Sequence, residues 1–526
     1  MRLDWLRIED WKNLRGFELD FDETQLTTVL IGANGTGKSN LMEAIVRIFR
    51  NLDLGQAPDF AYRLRYQCRA RTIEIDAKPK LSDEERKTRR QVEVTVDGAQ
   101  LTAKDFEVRK GELLPTNVFG YYSGSKRRLE VLFNQHLQDF YKATLDSEVQ
   151  PLRRFFYCHL MHGNFALLAF FAREDRAAKK FLADHMGVEG IESVLFVLRN
   201  PWWFKGKPNA IMKAEGDPRF WFARGLVKKF VAHLWDHAYP PIRDDGTEVL
   251  DFRGRSEDKE FLYLFVPDES ALRKLAATYG SPKEFFKELE TTWINDLISE
   301  TRIKVRRKDV KNHVTFHDLS EGEQQLLTVL GLLKFTQDDE SLFLLDEPDT
   351  HLNPQWKFDY LQTLEAVVGP HSKSQMLIAT HDPLVVGGLL RNQVRVFARA
   401  DGRIRAVEPE QDPRGMGFAG LLRSELFGLR ATVDPETLKK LDRRAELLGK
   451  GDKINAEDRT ELVNLSAELA ELGFARDFRD PYMAEFTAAM GRREEFKLPT
   501  LTPEQIKAQD RAADKILDKI LSKAEG

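Results

Sequence analysis

The sequence has few cysteines, no long apolar run and no excess of one charge. Its two cysteines, Cys68 and Cys158, are too few for a disulfide framework or a four-thiolate zinc site, so we expect both to be small buried side chains in a reducing compartment. The most apolar stretch, residues 165–172, is much shorter than the about 20 residues that span a bilayer. An acidic residue, Asp4, also stands where a signal peptide would be apolar. These features predict a cytoplasmic protein with no membrane partner.

The charges are numerous but nearly balanced. Of the 526 residues, 80 are Lys or Arg and 84 are Asp or Glu, which gives a formal net charge of -4. Such a balance provides no general attraction to nucleic acid, so any basic surface must be local. Hydrophobic residues make up 42% of the chain, enough for a large core. At about 100 to 200 residues per domain, the length allows three domains or one core with large insertions.

A glycine-rich loop at residues 32–39 follows an apolar, strand-like run and precedes a helix-like segment. It fits the pattern G-x-x-x-x-G-K-S, in which glycines let backbone N–H groups surround phosphate oxygens. We expect Lys38 to bridge the β- and γ-phosphates of ATP and the Ser39 hydroxyl to ligate Mg²⁺. The other expected ATP-binding residues of this segment are Asn34, Gly35, Thr36, Gly37 and Asn40.

Two adjacent acids follow a second apolar, strand-like run at residues 341–345. Asp346 is placed to hold Mg²⁺ through water, and Glu347 to polarise the attacking water as a general base. A pair of acids at a strand end is by itself more often a cap or a solvated turn, but its combination with the phosphate loop predicts ATP hydrolysis. A helix at about residues 354–368 and a further strand at 375–379 are predicted after it.

The segment 319–325, Leu-Ser-Glu-Gly-Glu-Gln-Gln, lies before the acidic strand and resembles the signature motif of the ABC-type ATPases. The resemblance implies that Ser320 and Gly322 contact the γ-phosphate held by a second protomer, so that two subunits enclose two ATP molecules head to tail. A hydroxyl at a helix N-terminus suits an anion. Taken alone, Ser320 and Glu323 could form a helix capping box, and both interpretations can hold together.

Two further residues match the same family. Asp349 stands where its D-loop begins, and His381 matches the switch histidine that senses the γ-phosphate, although a lone histidine is usually structural. The resemblance thus implies catalytic roles for Glu347 and His381, whereas no glutamine can be assigned as the Q-loop residue. About 280 residues separate Ser39 from Ser320, which distinguishes the chain from simple transport ATPases.

Within the ABC-type ATPases, the opening strands, the phosphate loop and the long insertion are similar to the SMC and RecF-like branch, which acts with DNA. Short sequence segments (phrases) outside the nucleotide motifs resemble the Septu-type anti-phage defence ATPases, including those associated with retrons. These phrases are residues 119–124, 425–429, 433–436, Phe474 and 479–482. The resemblance implies a homodimer or higher homo-oligomer, a separate HNH-type nuclease as partner and, in retron systems, a reverse transcriptase with its DNA–RNA hybrid.

The effector is expected to be another polypeptide. Residues 400–526 contain no Asp-x-Asp pair of the kind that a Toprim nuclease needs for two metal ions, so we expect no nuclease site in this chain. Two alternatives remain open. One is a RecF- or SMC-like repair ATPase that acts directly on DNA, and the other is a scaffold that binds ATP structurally with little turnover.

Surfaces for nucleic acid are expected only at short basic segments. Residues 302–308 alternate like a strand with Arg302, Lys304 and Arg306 on one face, and residues 126–128 are all basic. A solvated face and a phosphate-binding face are equally compatible with this pattern. The C-terminal helix carries an apolar stripe, which must pack against the body of the protein, a sister subunit or a partner.

The predicted fold is α/β: an ABC-type P-loop ATPase head with a large, mainly helical insertion and a helical C-terminal extension. Residues 1–55 and 306–400 are expected to form the two lobes of the head. Residues 56–305 would be the insertion, and residues 401–526 an extension for partner binding or self-association.

Overall fold

The computed structural model groups the chain into two compact units. The first comprises Met1–Val29 and Gly37–Thr380, and the second comprises Leu30–Thr36 and His381–Gly526. Among the residues that the structure describes, no helix is long and apolar enough to cross a membrane. The described residues are all except 83–89, 125–126, 147–152, 250–252, 255, 309–313, 337–338, 370–371, 473, 475–485, 487–488, 491–492, 494–495, 497–502 and 525–526.

The described residues form strands and helices along the whole chain. The strands are β1 (Arg2–Trp11), β2 (Leu14–Asp20), β3 (Thr27–Gly32), β4 (Tyr62–Cys68), β5 (Arg71–Ala77), β6 (Val92–Val96), β7 (Ala99–Leu101), β8 (Val118–Tyr122), β9 (Phe155–Tyr157), β10 (Val188–Arg199), β11 (Ile242–Val249), β12 (Ser256–Val266), β13 (Ile298–Arg307), β14 (Val314–Thr315), β15 (Leu342–Asp346), β16 (Gln375–Ala379), β17 (Val394–Ala400) and β18 (Arg403–Val407). The α-helices are α1 (Lys38–Leu54), α2 (Ala103–Leu113), α3 (Asn134–Asp146), α4 (Met161–Phe171), α5 (Arg176–Met186), α6 (Ala210–Glu215), α7 (Gly225–His237), α8 (Glu269–Ala276), α9 (Pro282–Ile294), α10 (Glu321–Thr336), α11 (Pro354–Val368), α12 (Pro383–Val386), α13 (Gly417–Arg423), α14 (Pro435–Gly449), α15 (Ala456–Glu471) and α16 (Pro503–Ala524).

An antiparallel sheet opens the first unit, with the strand order β2-β1-β4-β5-β6-β7. Alternating apolar and charged residues give its strands two different faces: Leu6 and Ile8 of β1 are fully buried, whereas Arg7 between them remains partly solvated. Buried positions also alternate with more solvated ones along β5.

A parallel set of strands in the first unit, ordered β16-β15-β8-β9, carries the acidic pair at its carboxyl end. All five residues of β15 are buried, as expected of a parallel sheet that is covered on both faces. In register, Asp346 lies beside Ala379 of β16 and Tyr122 of β8. Residues 118–122 therefore form a strand next to the acidic strand, although the sequence places them in the insertion.

A second antiparallel sheet of the first unit is ordered β11-β12-β10-β13-β14. The expected insertion, residues 56–305, contains the ten strands β4–β13 and the eight helices α2–α9 among its described residues. The alternation of apolar and polar residues that predicts strands is weak in this region, because outward positions of β10 and β12 carry apolar side chains such as Leu195 and Phe265.

A buried ionic cluster ties the helices of the first unit together. Helix α4 is buried along nearly its whole length and packs against α9 and α10. Arg153 donates a hydrogen bond to Glu290 Oε1 at 2.7 Å, and His162 Nε2 lies 2.9 Å from the same oxygen. Burial by itself would raise the pKa of Glu290, but Arg153 and His162 lower it to about 2. The carboxylate therefore stays ionised and holds both partners in place.

The second unit carries the β17–β18 hairpin and the helices α12–α16. One of the phrases that resemble the Septu-type ATPases has a local structural role there. Asp434 caps the N-terminus of α14, since its Oδ1 accepts hydrogen bonds from the N–H groups of Glu436 and Thr437 at 3.0 and 2.9 Å. The phrase at residues 479–482 lies outside the described residues.

The apolar stripe of α16 is covered in part by the chain itself. Ile516 and Ile520 are buried in a cluster with Phe496. Leu517 on the same helix keeps 42% of its surface exposed. Packing within the C-terminal segment thus accounts for the buried side of the stripe.

Candidate functional site

The glycine-rich loop has the backbone that its glycines predict. Gly32, Gly35 and Gly37 have φ angles of +145°, +79° and +98°, which residues with side chains rarely adopt. A Cβ atom on Gly37 would also lie 2.9 Å from the Leu14 side chain. Because Gly37 is the N-cap of α1, the loop leads directly into a helix N-terminus, which favours a bound anion.

The crest of the loop is open to solvent. Ala33, Asn34 and Gly35 are exposed. The Thr36 hydroxyl donates to Ala33 O at 2.8 Å and closes the turn. The backbone of the crest is therefore accessible to a ligand.

The first unit brings Lys38, Ser39, Asp346 and Glu347 together. The Ser39 side chain hydrogen bonds to Asp346. Burial lowers the pKa of Lys38, and the attraction of Asp346 and Glu347 opposes this shift. Burial also raises the pKa of Asp346 to about 6; the hydrogen bond from Ser39 opposes the shift, and the charge of Glu347 adds to it. A buried cation next to oxygen ligands fits a nucleotide phosphate with Mg²⁺, which prefers such ligands.

The raised pKa of Asp346 predicts a cost to stability that depends on pH. Above about pH 6 the folded protein must hold this buried carboxylate ionised, whereas the unfolded chain ionises it near pH 4. Asp346→Asn removes this cost, so we expect the nucleotide-free variant to be the more stable protein by about 2 kcal/mol at about pH 8. The difference should vanish below about pH 3, where the carboxyl is neutral in both the folded and the unfolded chain. Urea unfolding across this pH range measures it, and a wild type more stable than the variant at high pH would contradict the expectation.

The residues after β15 have an unusual backbone and close partners in β16. Glu347 has a φ angle of +55°, which is uncommon for a non-glycine residue and concentrates at functional sites. Its N–H donates to Ala379 O at 2.8 Å. Asp349 is buried, and its Oδ2 accepts a hydrogen bond from Thr380 Oγ1 at 2.9 Å. His381 follows Thr380 directly and belongs to the second unit.

The signature segment forms the start of α10, and the expected capping box is present. The N–H and hydroxyl of Ser320 donate to Glu323 Oε2 at 2.7 and 2.8 Å, and the Glu323 N–H donates to Ser320 Oγ at 3.3 Å. The second oxygen of Glu323 accepts a hydrogen bond from Arg307, the last residue of β13, at 3.2 Å. Ser320 itself is exposed. An exposed hydroxyl is thus held by a buried acid that is fixed to β13.

The start of α10 docks on the turn that contains Asp349. A Cβ atom on Gly322 would lie 2.5 Å from His351 O, so the close approach requires glycine. Gln325 accepts a hydrogen bond from the His351 N–H at 3.2 Å and donates to Tyr121 OH at 2.9 Å. The signature helix, the turn after β15 and strand β8 are therefore joined within one chain.

Arg128 contacts α1, the helix that follows the phosphate loop. The sequence motifs do not indicate this contact. Its guanidinium donates to Asn40 Oδ1 at 2.6 Å and to Glu43 Oε2 at 2.9 Å. Asn40 in turn donates to Asn13 Oδ1 at 2.6 Å. Arg128 is thus engaged with α1 and does not belong to an open basic surface, as the run of basic residues at 126–128 suggested. Lys126 lies outside the described residues.

Ser123 lies in the phrase at residues 119–124, but none of the nucleotide motifs includes it. It directly follows β8, and its N–H donates to Asp346 O at 3.2 Å. Its hydroxyl accepts a hydrogen bond from Thr350 Oγ1 at 3.2 Å. Only the register of β8 against β15 places this serine beside the acidic strand, and no local pattern indicates that register.

Two family models match the chain. The model described as "AAA ATPase domain" matches residues 1–149. The model described as "AAA domain, putative AbiEii toxin, Type IV TA system" matches residues 193–387. The first match includes the phosphate loop, and the second includes the signature segment, the acidic pair and His381. Both confirm the predicted class of P-loop ATPase.

The curated relatives match over shorter regions. "Septu protein PtuA" of Bacillus mycoides (strain KBAB4) is 30% identical over 164 residues, which are 29% of this chain and 22% of that protein. "Retron Vc95 probable ATPase" of Vibrio cholerae serotype O1 biovar El Tor is 23% identical over 208 residues, which are 37% of each protein. The chain therefore spans well under half the length of the curated relatives it matches.

Solved structures of SMC heads also match. The SMC head domain from Thermotoga maritima has a TM-score of 0.33 and 12% identity, and the match covers 78% of this chain and 100% of that one. An SMC head bound to the C-winged helix domain of ScpA has a TM-score of 0.31 and 13% identity, with 77% and 97% covered.

The site and the relatives lead to one assignment. The phosphate loop, the acidic pair and the signature helix have the order and the local structure of a P-loop ATPase head. The family models add the ATPase class, and the curated relatives add a partial similarity to Septu and retron ATPases. The chain has the fold of an ABC-type P-loop ATPase head and is similar, over part of its length, to the Septu and retron ATPases.

Proposed function

We propose that the chain works as a head-to-tail dimer that hydrolyses ATP and thereby controls a separate HNH-type nuclease in bacterial anti-phage defence. One observation carries the proposal. The same chain holds a cluster suited to phosphate and Mg²⁺ and, elsewhere, an exposed signature serine supported by a buried acid. The partial matches to a Septu protein and a retron ATPase support the Septu-type resemblance, and that resemblance implies a separate nuclease as the effector.

Each side chain of the cluster has a distinct task in hydrolysis. Lys38 and the N–H groups at the start of α1 would bind and orient the phosphates, and Ser39 and Asp346 would hold a hydrated Mg²⁺ ion. Bound Mg²⁺ supplies charge that compensates the phosphate oxygens. Glu347 orients the attacking water and accepts its proton.

Ser320 supplies the contact from the second protomer. Its hydroxyl donates to Glu323 in the isolated chain, so it must turn away from that carboxylate to donate to a phosphate oxygen. The phosphate therefore competes with the Glu323 carboxylate for the hydroxyl proton of Ser320. In a two-fold dimer the exchange occurs at both sites, so ATP joins the protomers and hydrolysis releases them.

A mixture of two inactive variants tests the head-to-tail arrangement. Lys38→Ala disables the phosphate loop of its own protomer, and Ser320→Arg blocks the signature that is offered to the other. Each variant alone should turn over little ATP, because every site in its homodimer contains a defective half. Their heterodimer contains one intact site, so we expect up to about a quarter of the wild-type rate of phosphate release from an equal mixture.

The matched control mixes two defects that lie in the same half of the site. Lys38→Ala with Glu347→Gln leaves no intact site in any dimer, so this mixture should stay inactive. Recovery of ATPase activity in both mixtures, or in neither mixture, would contradict a composite site built from two protomers.

The effector requires a separate test. A nuclease encoded beside the gene should copurify with the chain, and its DNA cleavage should differ between nucleotide-free and ATP-bound complexes. Glu347→Gln, which holds ATP without hydrolysis, should fix the complex in the ATP-bound level of cleavage. A chain that has no adjacent nuclease and binds DNA ends or gaps by itself would support a repair ATPase instead.

A further inference from the structure

The outer face of the sheet β11-β12-β10-β13-β14 carries a row of exposed cations. Along β13, the buried residues Thr301, Ile303 and Val305 alternate with exposed Arg302 and Lys304. The alternation continues to Arg306, which is also exposed. This confirms the strand predicted for the basic segment. Its cations recur every second residue, or about every 7 Å, along one line.

Aromatic side chains share this face. Directly opposed residues of antiparallel strands point to the same side, and Leu195 of β10 lies opposite both Phe265 of β12 and Arg302 of β13. Phe265 is 37% exposed, and the ring of Tyr239, which is 56% exposed, stacks on it with centroids 5.8 Å apart. Tyr263 of β12 occupies the next position on the same face. Rings and cations thus lie two strands apart on one surface.

We propose that this face binds single-stranded nucleic acid, with bases on the aromatic rings and phosphates on the cations of β13. Exposed rings beside a line of cations are complementary to a chain that alternates flat bases with anionic phosphates. A duplex hides its base faces and cannot use the rings, so single strands are the occupant that matches both features. The overall charge of -4 confines any such attraction to a local surface.

Strand β13 connects the proposed nucleic-acid face to the ATPase site. Strand β13 ends at Arg307, whose guanidinium donates a hydrogen bond to Glu323 at 3.2 Å. Glu323 in turn accepts hydrogen bonds from the N–H and the hydroxyl of Ser320. A ligand on the exposed residues of β13 therefore lies on the strand whose last residue bonds to the acid that holds the signature serine. Binding itself does not depend on ATP turnover, so it is tested without nucleotide.

Fluorescence anisotropy with a labelled thymidine oligonucleotide of about 16 nucleotides tests the proposal. The full chain should bind this single strand more tightly than the corresponding duplex. Arg302→Gln with Lys304→Gln should weaken binding about tenfold and reduce the slope of log affinity against log salt by about 1.4, since each phosphate contact on a single strand contributes about 0.7. Tyr239→Ala should weaken binding about tenfold without changing the salt slope.

Matched control variants show whether a loss of affinity is specific to the proposed face or follows from removing any exposed charge or any exposed aromatic ring. Arg7 and Arg63 are opposed residues of β1 and β4 in the other antiparallel sheet, so Arg7→Gln with Arg63→Gln removes the same charge elsewhere. Phe358 on α11 is 64% exposed and provides the aromatic control as Phe358→Ala. Wild-type affinity in both controls supports the proposal. Equal losses in control and test variants, or equal affinity of the wild type for single strand and duplex, would overturn it.

Discussion

Glu347→Gln should lower ATP turnover about 10³-fold while ATP binding remains intact. The residue follows Asp346 at the carboxyl end of β15, and its N–H is fixed to Ala379 O at 2.8 Å. Glutamine keeps the size of the side chain but cannot accept a proton, and a positioned general base contributes about 10² to 10⁴-fold. The loss should therefore appear in kcat rather than in KM.

Phosphate release at saturating ATP measures this loss, and a fluorescent ATP analogue measures the affinity. Glu18→Gln is a matched control, because Glu18 is an exposed acid of β2 that pairs with Arg7 at 2.8 Å. It should retain the wild-type rate. Size-exclusion chromatography with ATP should show more dimer for Glu347→Gln than for the wild type. Background rates in both the wild type and the variant would instead favour a scaffold that binds ATP structurally.

The elements around the ATPase motifs could be predicted from the sequence because their signals are local. The predicted helix at 354–368 and strand at 375–379 have the same bounds in the structure, as α11 and β16. Asn353 caps α11 directly before Pro354, and all five residues of β16 are buried. Caps, prolines and short apolar runs can be recognised without knowledge of distant contacts.

The remaining parts of the site depend on residues that are far apart in the chain. Tyr121 and Gln325, which join β8 to the signature helix, are separated by 204 positions. Arg128 and Asn40 are separated by 88 positions. A single sequence contains no pattern that pairs them. For the same reason the sequence assigned β8 to the insertion, although its hydrogen bonds make it the neighbour of the acidic strand.

Glu323→Ala should lower kcat about 10²-fold with little change in the affinity of the isolated chain for ATP. Glu323 holds Ser320 through bonds of 2.7 and 2.8 Å and is itself held by Arg307. Without the carboxylate, the Ser320 N–H loses its acceptor and the serine is no longer fixed at the start of α10. A displacement of about 1 Å in a positioning contact can cost about 10²-fold. ATP bound to the phosphate loop of one chain does not need this serine, so its affinity should be retained.

Glu323→Gln distinguishes the capping box from the ion pair. Glutamine can still accept the hydrogen bond of the Ser320 N–H, as in many capping boxes, but it carries no charge to attract Arg307. If the cap positions Ser320, the Gln variant should keep most of the wild-type kcat, and Arg307→Gln should do so too. If the kcat values of Glu323→Gln and Arg307→Gln both fall as far as that of Glu323→Ala, the ion pair positions the serine. Strand β13 then links the outer sheet directly to the ATPase site. Wild-type kcat in Glu323→Ala would show that hydrolysis does not depend on the position of Ser320, which would contradict the composite site.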